Sequence, residues 1–301
     1  MTPKLKKRLI HLVAYPAFFM AAFTALFFVN FPYDALKERL VSEARQKDIE
    51  IAIDEISPTL LGIEARGLSL HLFKPAEGKS EVEPLRVQSL TVFPHLFPLG
   101  VHVRARLMGG HLDAAYHPSA SQALKLRAKD LKLSHLPPEA TGNVVMDGTL
   151  ALLADLAFDP QDFAKAEGRL ALLGTQLLLR KGNVQGLTLP RVDMGRLELD
   201  LDLTGGKARF KTARLTGVDI VATMEGEVRQ ARKIALSSPN LTLRFQPAED
   251  FLKRNSLVSA ALGMAMKKDK DGYYEASIKG TLGKLKLTPN KNPGKAANKR
   301  R

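Results

Sequence analysis

Arg196-Leu197-Glu198-Leu199-Asp200-Leu201-Asp202-Leu203 alternates a charged side chain with a leucine through four full periods. A period of two belongs to a β-strand, whose successive side chains point to opposite faces; a helix would scatter these leucines around its axis. The stretch is therefore a strand with one dry face and one wet face. The same period recurs on either side of it. Ile49, Ile51 and Ile53 alternate with Glu50 and Asp54, and Leu68, Leu70 and Leu72 with Ser69 and His71. Val101, Val103, Ala105 and Leu107 oppose His102, Arg104 and Arg106; Ile220, Ala222, Met224 and Val228 run beside Asp219, Glu225 and Glu227.

Between such runs stand Gly109-Gly110, Lys181-Gly182-Asn183, Gly205-Gly206 and Asp271-Gly272. Glycine and asparagine supply the positive φ of tight reversals, and strands joined that closely must be antiparallel, because a parallel crossover needs about a dozen residues. The expected fold is mainly β: a long, curved antiparallel meander with a few short helices, preceded by a single transmembrane helix. The helical expectations are Asp34–Lys47, with Leu36, Leu40 and Ala44 four apart; one turn over Asp159–Ala164; and Pro247–Met266, with Glu249 and Asp250 at its start and Phe251, Val258, Leu262 and Ala265 on one stripe. The last of these could plug the end of an open sheet.

The transmembrane helix is read from Leu9–Val29, an uncharged apolar run long enough for the ~30 Å hydrocarbon core at 1.5 Å per residue. It exceeds the usual h-region of a cleaved signal, and no small-x-small site follows it, so it reads as an uncleaved anchor. Lys4, Lys6, Lys7 and Arg8 stand directly before it and favour a cytoplasmic N-terminus. The expected organisation is a basic cytoplasmic tail (1–8), the anchor (9–29), an amphipathic stalk helix (30–47), a periplasmic β-rich domain (48–287) and a basic disordered tail (288–301). The formal net charge of +14 is concentrated at these ends. The N-terminal cluster supplies four of these charges and Lys291, Lys295, Lys299, Arg300 and Arg301 five more, which leaves +5 for everything between; the body is nearly balanced and nucleic acid is not an expected partner.

The chain has no Cys, which removes disulfides, thiol nucleophiles and cysteine-ligated metals. His95, His102, His111, His117 and His135 fall close together but lack paired ligand spacing, and Arg104 and Arg106 share a face with His102. Glu198, Asp200 and Asp202 share a strand face with Arg196 and read as a solvated surface. No nucleophile elbow, P-loop or zincin pattern occurs. The expectation is a non-enzymatic protein without metal or cofactor. The residues singled out are Leu197, Leu199, Leu201, Leu203, Ile220 and Met224, whose dry face is either an apolar groove for lipid or a core face packed on protein.

A family likeness rests on a series of segments: Asn30-Phe-Pro-Tyr-Asp34 with the helix to Lys47, Ile49-Glu-Ile-x-Ile, Ser57-Pro58, Leu61-Gly62-Ile63, Gly67-Leu68-Ser69-Leu70, Leu90 to Gly110 leading into Gly109-Gly-His-Leu112, Leu215 to Glu227, and Lys279-Gly-Thr-Leu-Gly283. In these the chain resembles protein N of the bacterial type II secretion pathway (GspN) and, more distantly, the AsmA-like β-rich envelope proteins. The resemblance implies an inner-membrane accessory or scaffold whose partners are membrane lipid and other type II secretion components. The alternative it carries is a lipid-handling or outer-membrane biogenesis protein that holds phospholipid in an apolar sheet groove.

Overall fold

The computed structural model describes residues 31–46, 50–59, 62–71, 84–96, 99–118, 123–137, 144–159, 161–184 and 187–290, with Tyr15, Phe18, Phe19 and Leu26 singly. The basic start, nearly all of the apolar run 9–29 and residues 291–301 lie outside the described residues. Among the described residues no helix is long and apolar enough to cross a membrane.

Among the described residues one antiparallel sheet of 16 strands carries the fold. Its first half comprises β1 (Glu50–Ala52), β2 (Glu55–Thr59), β3 (Gly62–His71), β4 (Leu85–Leu96), β5 (Leu99–Leu107), β6 (Gly110–His117), β7 (Ala123–Lys132) and β8 (Val144–Asp159). The second half comprises β9 (Asp162–Val184), β10 (Leu187–Leu189), β11 (Val192–Thr204), β12 (Lys207–Thr216), β13 (Ile220–Arg229), β14 (Ser238–Pro247), β15 (Tyr274–Thr281) and β16 (Lys284–Pro289). Chain order is sheet order throughout. The two apparent exceptions are broken strands: β1 and β2 both pair with β3, and β10 and β11 both pair with β9. The meander read from the alternating runs is thus present.

Helix α1 (Tyr33–Gln46) falls on the stretch expected to be helical over Asp34–Lys47 and lies against the β1/β2 edge, where the Lys37 ammonium donates to the Asp54 carbonyl at 2.9 Å. The expected helix 247–266 is split into α2 (Glu249–Arg254) and α3 (Ser256–Ala265). The break falls at Asn255, whose side-chain amide donates to the Phe251 carbonyl at 2.9 Å and so draws the backbone out of helical geometry. Leu262 and the following Met266 pack on Phe245, Tyr274 and Ala276, so the pair covers one corner of the sheet. Buried Asp219, in the β12–β13 turn, ties that corner down. Its carboxylate accepts the Asp193 N–H at 2.8 Å and the Arg254 guanidinium at 2.7 Å, and its carbonyl accepts the Ala248 N–H at 2.9 Å.

Other expectations are corrected. The stretch expected as a helical turn over Asp159–Ala164 is not helical: Asp159 closes β8 and pairs with Asp162, which opens β9 through Ala164, and the Asp159 carboxylate accepts the Gln161 N–H at 2.8 Å and the Asp162 carboxylate the Ala164 N–H at 3.3 Å. Short acidic side chains that capture amides two residues on stabilise turns at the expense of helix. Lys181-Gly182-Asn183 is not a turn either; it lies within the 23-residue β9. Finally, the sheet does not stop at residue 287. Thr288 pairs with Ser277, and the Asn290 N–H reaches the Glu275 carbonyl at 2.9 Å, so β16 claims the start of the segment assigned to a disordered tail.

Candidate functional site: an apolar trough

Register places apolar residues opposite one another across the whole sheet. One unbroken row runs Ile56, Ala65, Leu90, Ala105, Leu112, Ala128, Leu152, Leu172, Leu199, Ala213, each directly paired with the next, from β2 to β12. Ten adjacent strands at ~4.8 Å spacing give this row a length of roughly 43 Å. In its first half large and small residues alternate, so Leu90 and Leu112 each stand between two alanines.

The alanines of the row are buried, whereas Ile56, Leu90, Leu112, Leu152, Leu172 and Leu199 are half-buried. That pattern belongs to a floor with walls and no roof. Among the described residues the contacts between strands run along the sheet, nearly all from neighbour to neighbour, and all strands belong to one sheet, with no second sheet across this face. Yet Leu177 keeps only 3% of its exposure and Ala128 only 2%. A single layer encloses its own side chains to that degree when it is bent, which makes the apolar face the concave one.

The bend has a visible cause. Gly148 on β8 (φ 121°), Gln176 on β9 (φ 54°) and Gly195 on β11 (φ 61°) lie side by side on consecutive strands, each at a slip in register. Aligned bulges bend neighbouring strands together and crease the sheet across its strands. Leu177 sits in the crease. A Cβ at Gly148 would come within 2.9 Å of its Cδ2, and a Cβ at Gly195 would overlap the Thr216 carbonyl oxygen. Both positions therefore require glycine.

Of the residues singled out from sequence, all six lie on this apolar face. Leu199 belongs to the floor row. Leu201 pairs with Leu170 and Phe210, and Leu203, at 5% exposure the best covered of the six, pairs with Gly168 and Ala208. With Met224, these two pack in a cluster around Ala154, Leu156, Ala166 and Val228 near one rim. Leu197 joins a second cluster around Leu177, Met108 and Leu133 near the other rim. Ile220 stands opposite Pro247 beside the helical corner. The floor leucines of β4 to β9 were not singled out. In β8 and β9 the period of two is hidden, because Ala151, Leu153, Ala171 and Leu173 place apolar side chains on the outer face as well.

The outer, convex face is crossed by ion pairs. Arg169 holds Asp200 through two hydrogen bonds of 2.8 and 2.6 Å, Lys211 meets Asp202 at 3.2 Å, and Lys207 meets Glu227 at 2.8 Å. Hydrogen bonding to these cations holds the Asp200 and Glu227 carboxyls below the usual carboxylate range. Asp147 and Arg180 form a further pair. The histidines are dispersed on and around this face: His102 pairs with Asp113 at 2.9 Å, and His95 meets His117 edge to face at 5.9 Å. Among the described residues no three His, Asp or Glu side chains converge to hold a cation. The row from Ile56 to Ala213 offers chemistry of one kind, a line of alkyl side chains with no hydrogen-bonding group among them.

Comparison with known protein families, with curated proteins and with solved structures finds no match.

Proposed function

We propose that the protein is a membrane-anchored β-sheet that holds the acyl chains of a lipid on its concave face, with Leu9–Val29 as anchor and the sheet in the periplasm. The observation that carries this reading is the apolar row from Ile56 to Ala213, over which no described element lies. A protein partner large enough to cover such a face would bring about one hydrogen bond per 100–200 Å², and the row offers no side chain to receive one. An acyl chain needs none. Each methylene taken from water is worth about 0.8 kcal/mol, less where only one side is covered. The row begins at Ile56, on the edge that α1 covers, and the residues preceding α1 are the proposed anchor; a chain leaving the bilayer thus meets the start of the row.

Assignment to the type II secretion machine, as a non-enzymatic accessory, is the second reading. It rests on the residue resemblance and on the one long edge of the sheet that no described element covers.

A photoreactive amino acid placed at Leu199 in living cells separates the two. Phospholipid adducts at Leu199 and none at Asp200, on the opposite face, are the expected result. Protein adducts alone at Leu199 would mean that a partner roofs the face, and the secretion-scaffold reading would replace this one. Leu199→Asp is expected to remove the lipid adducts formed from a reporter at Leu172. Its cost in stability should be about 1–3 kcal/mol, since the side chain is only half-buried.

A further inference from the structure

The two edges of the sheet are finished differently. Helix α1 lies along β1 and β2, whereas β16 has a partner on one side only among the described residues. Which backbone groups this leaves open follows from the hairpin. Leu282-Gly283 is a two-residue turn, so Thr281 and Lys284 form the first mutually hydrogen-bonded pair, followed by Lys279 with Lys286 and Ser277 with Thr288. The Asn290 N–H on the Glu275 carbonyl continues the same phase. Lys284, Lys286 and Thr288 thus turn their amides and carbonyls toward β15. Leu285 and Leu287 turn theirs to the open side.

The side chains match this openness. Leu285 and Leu287 are 56% and 61% exposed, on the face of the trough, where they pair with Gly280 and Ile278. On the convex face Lys279 stands directly opposite Lys286 with Lys284 beside them, and among the described residues none of the three has an anionic partner. Like charges directly opposite destabilise a strand pair. The edge is nevertheless held in place: the Leu282 and Gly283 amides donate to the Ser237 and Ala235 carbonyls at 2.9 and 2.8 Å.

We propose that β16 is a docking edge for an extended segment of another protein in which apolar residues alternate with Asp or Glu. Such a strand would take up the open amides and carbonyls of Leu285 and Leu287, cover their side chains and neutralise the lysines. A second copy of β16 would set lysine against lysine. The chain's own end, with Lys291, Lys295, Lys299, Arg300 and Arg301, brings the same sign of charge and no apolar alternation. The inference rests on the edge alone and holds whatever occupies the trough.

The test uses the full chain in detergent and two fluorescent peptides of about seven residues, a usual strand length, one alternating Leu with Glu and the other Leu with Lys. The acidic peptide is expected to bind saturably and the basic one roughly tenfold more weakly or worse. Leu287→Pro removes an outward amide and leaves the β15–β16 ladder its bonds, so it should abolish binding without changing the circular dichroism spectrum. The pair Lys284→Glu with Lys286→Glu should reverse the preference, and it decides the matter if the proline variant fails to fold. Undiminished binding to a folded Leu287→Pro chain, or a preference that the charge reversal does not move, would overturn the proposal. So would a dimer of the unaltered chain that Leu287→Pro dissociates, since the edge would then belong to a second copy.

Discussion

Asp200 receives both of its short hydrogen bonds from one guanidinium, and Arg169 in turn is held in its charged form by Asp200. A paired carboxyl of this kind titrates below its unfolded value, so the stability it contributes is complete above the unfolded pKa of ~3.9 and is lost as pH falls through the lower folded value. Asp269, held by Arg244, and Glu227, held by Lys207 and then Arg209, are shifted in the same direction. The thermal midpoint is therefore expected to be level from neutral pH down to about 5 and to drop below about 4. Asp200→Asn should lose part of that acid-side slope. At neutral pH it should cost no more than about 1 kcal/mol, because Arg169 remains largely in solvent and the pair is screened. Circular dichroism melts across pH check both expectations; a midpoint unchanged between pH 5 and pH 3 would remove these pairs from the account.

At the level of elements, the polar ties of the helical corner meet at a single side chain. Asp219 joins the start of β11, the β12–β13 turn and α2, and Asp219→Ala leaves the Asp193 amide without an acceptor and Arg254 without its carboxylate partner. A loss of about 1–3 kcal/mol is expected, with faster proteolysis confined to residues 249–265 in limited-digestion mapping. Digestion spread evenly over the sheet would show that the corner and the sheet unfold together. How much of such detail the sequence discloses depends on what holds each element. Strand β11 was plain because Arg196 to Asp202 put a charge at every outward position, and α1 because its leucines recur on one side. Strands β8 and β9 hid their inner face behind an apolar outer one. The break at Asn255 and the turn at Asp159–Asp162 depend on side chains bonding to nearby backbone, a competition that periodicity does not register. The crease was invisible for another reason. Gly148 and Gly195 are far apart in sequence and become one feature only when register sets them on either side of Gln176.

For the whole molecule, the orientation proposed for the chain has a direct check. Alkaline phosphatase fused after Met266 is expected to be active, and the N-terminus is expected to begin at Met1 or Thr2; an inactive fusion, or a chain starting beyond Val29, would end the signal-anchor proposal. The topology has a further consequence, which concerns growth rather than position. Because strand order repeats chain order from one edge to the other, no strand waits for a distant part of the sequence to find its neighbour. Such a sheet behaves as a one-dimensional lattice, in which stability is a sum of nearest-neighbour terms and folding can start at any hairpin and spread by zippering. A hairpin could be inserted or removed in the middle with only local repair, and each would lengthen or shorten the apolar floor by about 10 Å, two interstrand spacings. Reach, in a protein built this way, is a quantity that duplication of a few dozen residues can set.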